Sequence, residues 1–344
     1  MAMAAAKPVP QRNLAAYLTE TNPAPSLVRS IAYGIRDPHA KHFWWDVRQL
    51  RPWNDFTVST ILSLSGAASL LSCPVPASAL PTPGPVNRHP ENEAALHKIY
   101  AAHYLPKLNA ALALSSSRPI QLSVPAKAVP GIPDQLFVAT VAGEPATAAS
   151  IFGGTLSARV VGLVRSYDRF NSGMRSESNI KRVEYLRGLA SLHHAMREHG
   201  TRYGFILTEI ELVVVRNGTD TVPDFGYLEV MNVPLNVSAS KGQFTSSLPI
   251  SDMDASMPMT ACLALWGLCM MAGDEPGTGQ PLWRSDIGAP AAGTRRKAQP
   301  RDSWMPQPQL AEKREAKRSR GWILPEDVVG RKELGKRGVK YGGR

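Results

Sequence analysis

The chain has 344 residues, which is enough for one large domain or two modest ones. Its net charge is +11, but residues 281–344 contain 16 Lys/Arg against 7 Asp/Glu and so hold +9 of it. A basic interaction surface is therefore expected in this tail and not in the nearly neutral remainder. Three scattered cysteines and the absence of any CxxC pair exclude a disulfide framework and favour a reducing compartment.

Targeting and membrane signals are not found. Residues 1–25 lack an apolar core behind a basic start and are predicted to be flexible, with no signal peptide. The longest apolar run, residues 257–273, is shorter than the roughly 20 residues that a membrane-spanning helix needs. We therefore predict a buried core helix near 258–271, no membrane partner, and an intracellular location, nuclear or cytoplasmic.

An aromatic-rich stretch and a linker are expected next. Residues 26–62 contain Phe43, Trp44, Trp45, Trp53 and Phe56 and are interpreted as a small element that packs on the main domain. An aromatic platform for stacking bases is the alternative, although no basic stripe runs through this stretch. Residues 63–86 are rich in Pro, Ala and Ser, a composition typical of a linker.

The main domain is predicted over residues 87–273. Residues 87–114 indicate a pair of helices broken near Pro106, and residues 120–124 alternate like a strand. Residues 129–216 are interpreted as strand, strand, helix, strand, strand, with Gly200 placed to end the helix. Another short strand is expected within 225–237. These elements predict an α/β fold in which a mixed sheet of four to five strands is flanked by helices.

The tail, residues 274–344, is predicted to be disordered. It is first rich in Pro and Gly and then dominated by Lys and Arg. Within it, a short helix is expected around residues 308–319. Phosphate groups of a nucleic acid, or an acidic protein, are the partners that such a basic tail would bind. It could equally serve as a nuclear address.

Part of the predicted main domain, including residues 129–216, resembles a known family. Three segments are similar to the restriction-endonuclease-like PD-(D/E)xK fold, in the divergent form found in uncharacterised fungal proteins. They are Pro133-Asp134, VVGLVRSYDRF at 160–170, and RYGFILTEIELVVVR after a helix. The resemblance covers roughly residues 91–273. It implies that active members hold one or two divalent metals with an Asp on one strand and a Glu-x-Lys on the next, and hydrolyse phosphodiesters.

The catalytic positions that the resemblance implies are altered in this chain. Asp134 stands where the first acid belongs, but the Glu-x-Lys position reads Leu163-Val164-Arg165. Leucine cannot bind a metal, and arginine keeps its proton, although it can hold a phosphate oxygen. Asp168 could replace the lost acid only if a bulge turned it to the same face of the strand.

Three functions therefore remain open. The first is a non-catalytic nuclease-like module that binds or interacts, with no cofactor. The second is a metal-dependent nuclease that uses Mg²⁺ in a site rearranged around Asp134 and Asp168. The third is a protein–protein adaptor with a basic localisation tail.

Four cations are candidates for phosphate contact, and each has a plainer interpretation. Arg165 and Arg169 are either phosphate ligands or members of surface ion pairs, and Lys181 and Arg182 either bind phosphate or form a solvated helix face. No metal site is predicted. The adjacent histidines at 193 and 194 point about 100° apart on a helix and cannot face one metal together.

Overall fold

The computed structural model describes residues 11–31, 41–85, 87–116, 119–125, 136–141, 158–220, 224–239, 257–274 and 299–330. Asp134, the expected first acid of the catalytic pattern, lies outside the described residues.

The described residues form nine strands, and seven of them make one mixed sheet. In chain order the strands are β1 (Gln11–Asn13), β2 (Gln49–Pro52), β3 (Pro74–Pro76), β4 (Ile120–Ser123), β5 (Leu136–Val141), β6 (Val160–Val164), β7 (Tyr203–Leu207), β8 (Glu211–Asn217) and β9 (Tyr227–Pro234). Their order across the large sheet is β2-β9-β8-β7-β6-β5-β4, and β1 pairs with β3 separately. The pairs β2–β9 and β6–β7 are parallel, and the other neighbours are antiparallel.

Helices cover both faces of this sheet. They are α1 (Leu14–Leu18), α2 (Val58–Ser63), α3 (Ala67–Ser72), α4 (Glu93–Ala113), α5 (Asn179–Glu198), α6 (Ala261–Asp274) and α7 (Leu310–Arg320), with 3₁₀ turns at Trp44–Asp46, Ala77–Ala79 and Ser172–Ser176. Alternate residues of the central strands belong to two cores. In β6, Val160 and Val164 pack with α4 and α6, whereas Val161 and Leu163 pack with α5. Burial on both faces explains why these strands read as continuous apolar runs.

The prediction of four to five strands was too low. The strand that no sequence pattern indicated is β2, which comes from the aromatic-rich stretch and pairs in parallel with β9 at one edge of the sheet. Its sequence, Gln-Leu-Arg-Pro, has no apolar run, so only its pairing partner reveals it. The aromatic-rich stretch is thus part of the main sheet, and Trp53 stacks on Tyr203 of β7 with ring centroids 6.1 Å apart.

The predicted helix pair before the sheet is one helix. Helix α4 runs for 21 residues through Pro106. Proline lacks the N–H that would bond to the preceding turn and normally costs a helix about 3 kcal/mol or more. Here Tyr100, Tyr104 and Leu108 on either side of Pro106 are buried in the core, and their burial holds the two halves in line.

Two segments expected to be loose are packed. Within the residues predicted to be flexible, 11–18 form β1 and α1, and Tyr17 and Leu18 are fully buried. Within the predicted linker, 63–86, helix α3 buries Ala67 and Leu71, and β3 pairs with β1. Small apolar side chains bury readily without the large residues that mark a core in a sequence, and this is why the composition suggested a linker.

The predicted disorder of the tail is corrected for residues 299–330, here called the C-terminal segment. This segment contains α7, and its side chains Met305, Ala316 and Leu324 are buried against the body of the protein. Its charged residues pair with specific partners, described below, which the composition of the tail could not show. Residues 275–298 and 331–344 lie outside the described residues.

The apolar helix near residue 260 is confirmed as a core element. Helix α6 is buried along most of its length, including Leu263, Trp266 and Leu268. In the described part of the chain, no helix is both long and apolar enough to cross a membrane. Cys73, Cys262 and Cys269 are free thiols.

Candidate functional site

Polar side chains concentrate where the two central parallel strands end. The carboxyl ends of β6 and β7 lie at the same edge of the sheet. The Arg165 N–H donates to the Leu207 carbonyl oxygen over 3.0 Å, which extends the ladder one residue beyond β6. The loop after β6, the turn between β7 and β8, and the first turn of α4 meet at this edge, the usual place for a ligand site in an open α/β sheet.

Glu93 is the centre of this arrangement. It lies in the first turn of α4, where a carboxylate is favoured by the helix dipole, after the N-cap residue Asn92. One Glu93 carboxylate oxygen accepts the Ser166 N–H at 2.8 Å, and the other accepts the Arg169 guanidinium at 3.0 Å. The Arg165 guanidinium lies 3.7 Å from the latter oxygen. One acid therefore holds both arginines that the sequence offered as phosphate ligands.

Arg165 is enclosed by protein. Its residue surface is only 5% exposed. Burial lowers the pKa of Arg165 to about 10, and the nearby charge of Arg169 acts in the same direction, whereas Glu93 raises it. The side chain is thus still a cation at neutral pH, and Glu93 is the carboxylate that offsets the cost of burying it.

Two further buried glutamates face the same loop. Glu209 accepts the Val28 N–H at 2.9 Å with one oxygen and the Tyr167 N–H at 2.6 Å with the other. Glu211 accepts the N–H of Ser172 at 2.6 Å and its hydroxyl at 2.8 Å. We call Glu93, Glu209 and Glu211, together with their donors, the edge network. All six of its carboxylate oxygens accept a hydrogen bond from the loops around them.

The pKa of Glu209 is raised. Burial is the main cause, and the neighbouring Asp168 carboxylate adds to it, while the backbone N–H groups of Val28 and Tyr167 act in the opposite direction. Asp168, which the sequence offered as a replacement metal ligand, is half-buried in the loop after β6. Leu163 is fully buried in the core on the α5 face. Its apolar side chain has no atom that could bind a charged group.

Metal-binding capacity can be judged for the described residues. Among them, no three or more His, Cys, Asp and Glu side chains are grouped so that they could hold a metal ion. The carboxylates of the edge network already receive N–H and O–H donors, and Mg²⁺ would have to displace these. What the arrangement does chemically is fix the loop after β6 to α4 and to the β7–β8 turn.

The other two predicted phosphate contacts lie elsewhere. Lys181 and Arg182 are in the first turn of α5, and both are half-buried. The Arg182 guanidinium donates over 3.4 Å to the carbonyl oxygen of Trp304 in the C-terminal segment. The structure therefore brings together Arg165, Arg169 and Asp168, and it places Arg182 beside the C-terminal segment.

Sequence reasoning missed Glu209 and Glu211. The apolar pattern assigns both residues only to the last two strands predicted within residues 129–216. A signal was present, because Thr208-Glu209-Ile210-Glu211 interrupts two strongly apolar runs. Two acids at a turn between buried strands need partners nearby, and the loop after β6 supplies them.

Comparisons with known proteins identify no relative. No family model matches the chain, and neither a curated protein nor a solved structure matches it.

Proposed function

We propose that this chain is a non-catalytic module of nuclease-like architecture that acts by binding. The observation that carries the proposal is the state of the Glu-x-Lys position. Leu163 is buried in the core, and Arg165 is buried with its charge directed at Glu93, 3.7 Å away. In active members this position supplies a metal ligand and a lysine near the attacking water, and neither role suits a leucine or a buried arginine.

The order of elements supports the nuclease-like part of the proposal. The resemblance rests on strand, strand, helix, strand, strand, and β5, β6, α5, β7 and β8 follow one another in that order. The position in question stands at the carboxyl end of β6, opposite the start of β5, since Leu136 pairs with Leu163.

Nucleic acid remains the proposed partner, reached through the basic tail. The cations of the C-terminal segment differ in exposure and in their partners. Arg301, Lys313 and Arg320 form ion pairs with acids of the described structure. Arg314 and Arg318 are exposed on α7 four residues apart, which is the spacing of one helix face. They are the described tail cations best placed to contact phosphate.

A nuclease assay tests the non-catalytic part. Purified full-length protein is incubated with single- and double-stranded DNA and with RNA in the presence of Mg²⁺ or Mn²⁺. We expect no cleavage above the level of a mock-purified control. Metal-dependent cleavage that Asp134→Ala abolishes would establish the alternative, a rearranged nuclease, and would overturn the proposal.

A salt titration tests the binding part. The logarithm of the affinity for duplex DNA falls linearly with the logarithm of salt concentration, with a slope of about −0.9 for each phosphate neutralised. Replacing Arg314 and Arg318 with Ala should make this slope less steep by about 2 units. Replacement of the paired Lys313 is the matched control and should change the slope less. An unchanged slope in the Arg314/Arg318 variant would remove α7 from the binding surface.

A further inference from the structure

The C-terminal segment occupies a polar surface at the β2 edge of the sheet. A terminal strand normally leaves a row of unpaired N–H and C=O groups. Here the Asp302 N–H donates to the Arg48 carbonyl oxygen at 2.8 Å, and the Asp302 carboxylate accepts the Leu50 N–H at 3.0 Å. Arg51 donates to both oxygens of the same carboxylate at 2.9 Å. Asp302 thus satisfies two backbone groups at the β2 edge and pairs with Arg51 there.

A second acid of the segment meets a second arginine of the edge. The Arg48 side chain is only 1% exposed and forms an ion pair with Glu326. The Nε–H of Arg48 donates to the Gln299 carbonyl oxygen. Both arginines that flank the outer side of β2 are therefore matched by carboxylates from the C-terminal segment.

The charge pattern reverses at the neighbouring 3₁₀ turn. Here the body supplies the acid, Asp46, and the segment supplies the base, Arg320, with distances of 2.9 and 2.7 Å to the two carboxylate oxygens. Both side chains are at most 2% exposed. The Arg320 guanidinium also lies 4.8 Å from the Phe43 ring centre and 3.5 Å from that of Trp322.

Other contacts fix where the segment lies. The Trp44 indole N–H donates to Glu312 of α7 at 3.1 Å, and Met305 is buried. The Arg175 guanidinium lies 5.0 Å from the Trp304 ring centre. The body side of this interface, made by Trp44, Asp46, Arg48, Leu50 and Arg51, is called the docking surface below.

We propose that the docking surface recognises a segment in which an extended part supplies an aspartate and a following helix supplies an arginine, and that the chain's own C-terminal segment occupies it in the closed state. The partner that fits is a segment of the same chemistry, with a carboxylate for Arg51 and the Leu50 N–H and a guanidinium for Asp46. Both signs of charge are present on the surface, Asp46 being acidic and Arg48 and Arg51 basic, so charge complementarity disfavours segments that are uniformly acidic or uniformly basic. The inference rests on the proposed role as a binding module.

Tethering explains why the chain's own segment is bound in the closed state. The segment and the surface belong to one chain, so their contact is intramolecular, and the effective concentration of an attached ligand reaches the millimolar range. A partner at micromolar concentration competes poorly unless the attached segment is weakened. Recognition of a partner is therefore coupled to release of the C-terminal segment.

The experiment weakens the attached segment in the full-length chain and offers the same chemistry in a second molecule. Asp302→Ala and Arg320→Ala are combined, since both lie on the segment and leave the docking surface unaltered. The probe is a fluorescein-labelled synthetic peptide of residues 299–330, measured by anisotropy. Arg314→Ala with Arg318→Ala is the matched control, because it removes two exposed cations from the same segment. Asp302→Ala alone is the milder variant if the pair does not fold.

We expect the peptide to bind the opened chain at least tenfold more tightly than the wild type or the control, with a peptide carrying both substitutions failing to bind. Hydrogen exchange at the Leu50 amide reports opening directly and should accelerate only in the opened chain. Accelerated exchange without tighter peptide binding, or equal binding to all three proteins, would overturn the inference. So would a Leu50 amide that stays protected in the double variant. None of these outcomes affects the nuclease assay, so failure of the proposed function is recognised separately.

Discussion

The edge network and the docking surface use the same residue types for different ends. Each pairs a buried carboxylate with arginine, but the partners are 76 residues apart for Glu93 and Arg169 and 274 apart for Asp46 and Arg320. In the edge network, the hydrogen bonds are distributed over three glutamates and several backbone N–H groups. At the docking surface, the charged contacts are three separate carboxylate–arginine pairs, Arg51–Asp302, Arg48–Glu326 and Asp46–Arg320.

The difference shows what each region can do. A network with many donors holds its loop even if one contact is lost, which suits a permanent part of the fold. An interface whose specificity rests on a few charge pairs loses its hold when one pair is broken, which suits a segment that exchanges with a partner. The two regions should therefore differ in how strongly they respond to the loss of one charge.

The largest effect is expected from Asp46→Ala. This change leaves the buried Arg320 without its carboxylate, and breaking a buried ion pair typically costs about 3–5 kcal/mol. Urea denaturation should show this loss in the free energy of unfolding. The double variant with Arg320→Ala should be less destabilised than the sum of the single changes, because it removes both charges. Strict additivity would mean that the pair does not act as a unit.

The second largest effect is expected from acidification, which should destabilise the protein around His193 and His194 of α5. Burial lowers the pKa of both His193 and His194 to about 3, helped for each by the Arg197 charge and opposed by Asp46, while His42 and Lys41 lower that of His194 further. The folded protein therefore holds these histidines neutral, whereas the unfolded chain protonates them near pH 6.5. Their contribution to stability is complete above pH 6.5 and is lost as pH falls from there toward 3.

Between pH 6.5 and 5 the loss should be about 3 kcal/mol for the two histidines together. Denaturation curves at stepped pH measure it. Replacing both with Gln, which cannot be protonated, should flatten the dependence in this window. If the double variant keeps the full slope, other groups are responsible.

A smaller effect is expected from Glu93→Gln in the edge network. Glutamine keeps an acceptor for the Ser166 N–H but loses the charge that offsets Arg165, and hydrogen bonds to charged groups contribute about 1.5–3 kcal/mol. We expect a loss of roughly 2 kcal/mol by urea denaturation, and unchanged exchange at the Leu50 amide. Acceleration at Leu50 would show that the two regions are coupled, against the comparison drawn above.

Much of the central fold could be predicted from the sequence. The apolar runs of β6, β7 and β8 and the helical spacing of α5 before Gly200 predicted these elements, because a strand buried on both faces and an amphipathic helix leave a local pattern. The apolar helix α6 was found in the same way.

The rest was decided by tertiary contacts. The strand β2, the continuity of α4 through Pro106 and the docking of the C-terminal segment have no local period that marks them. They depend on partners such as β9, the core around Tyr104, and Asp46, which lie far away along the chain. A run of Lys and Arg reads as a solvated tail until specific acids are placed opposite it, and only the folded chain places Asp46 opposite Arg320 and Glu93 beside Arg165.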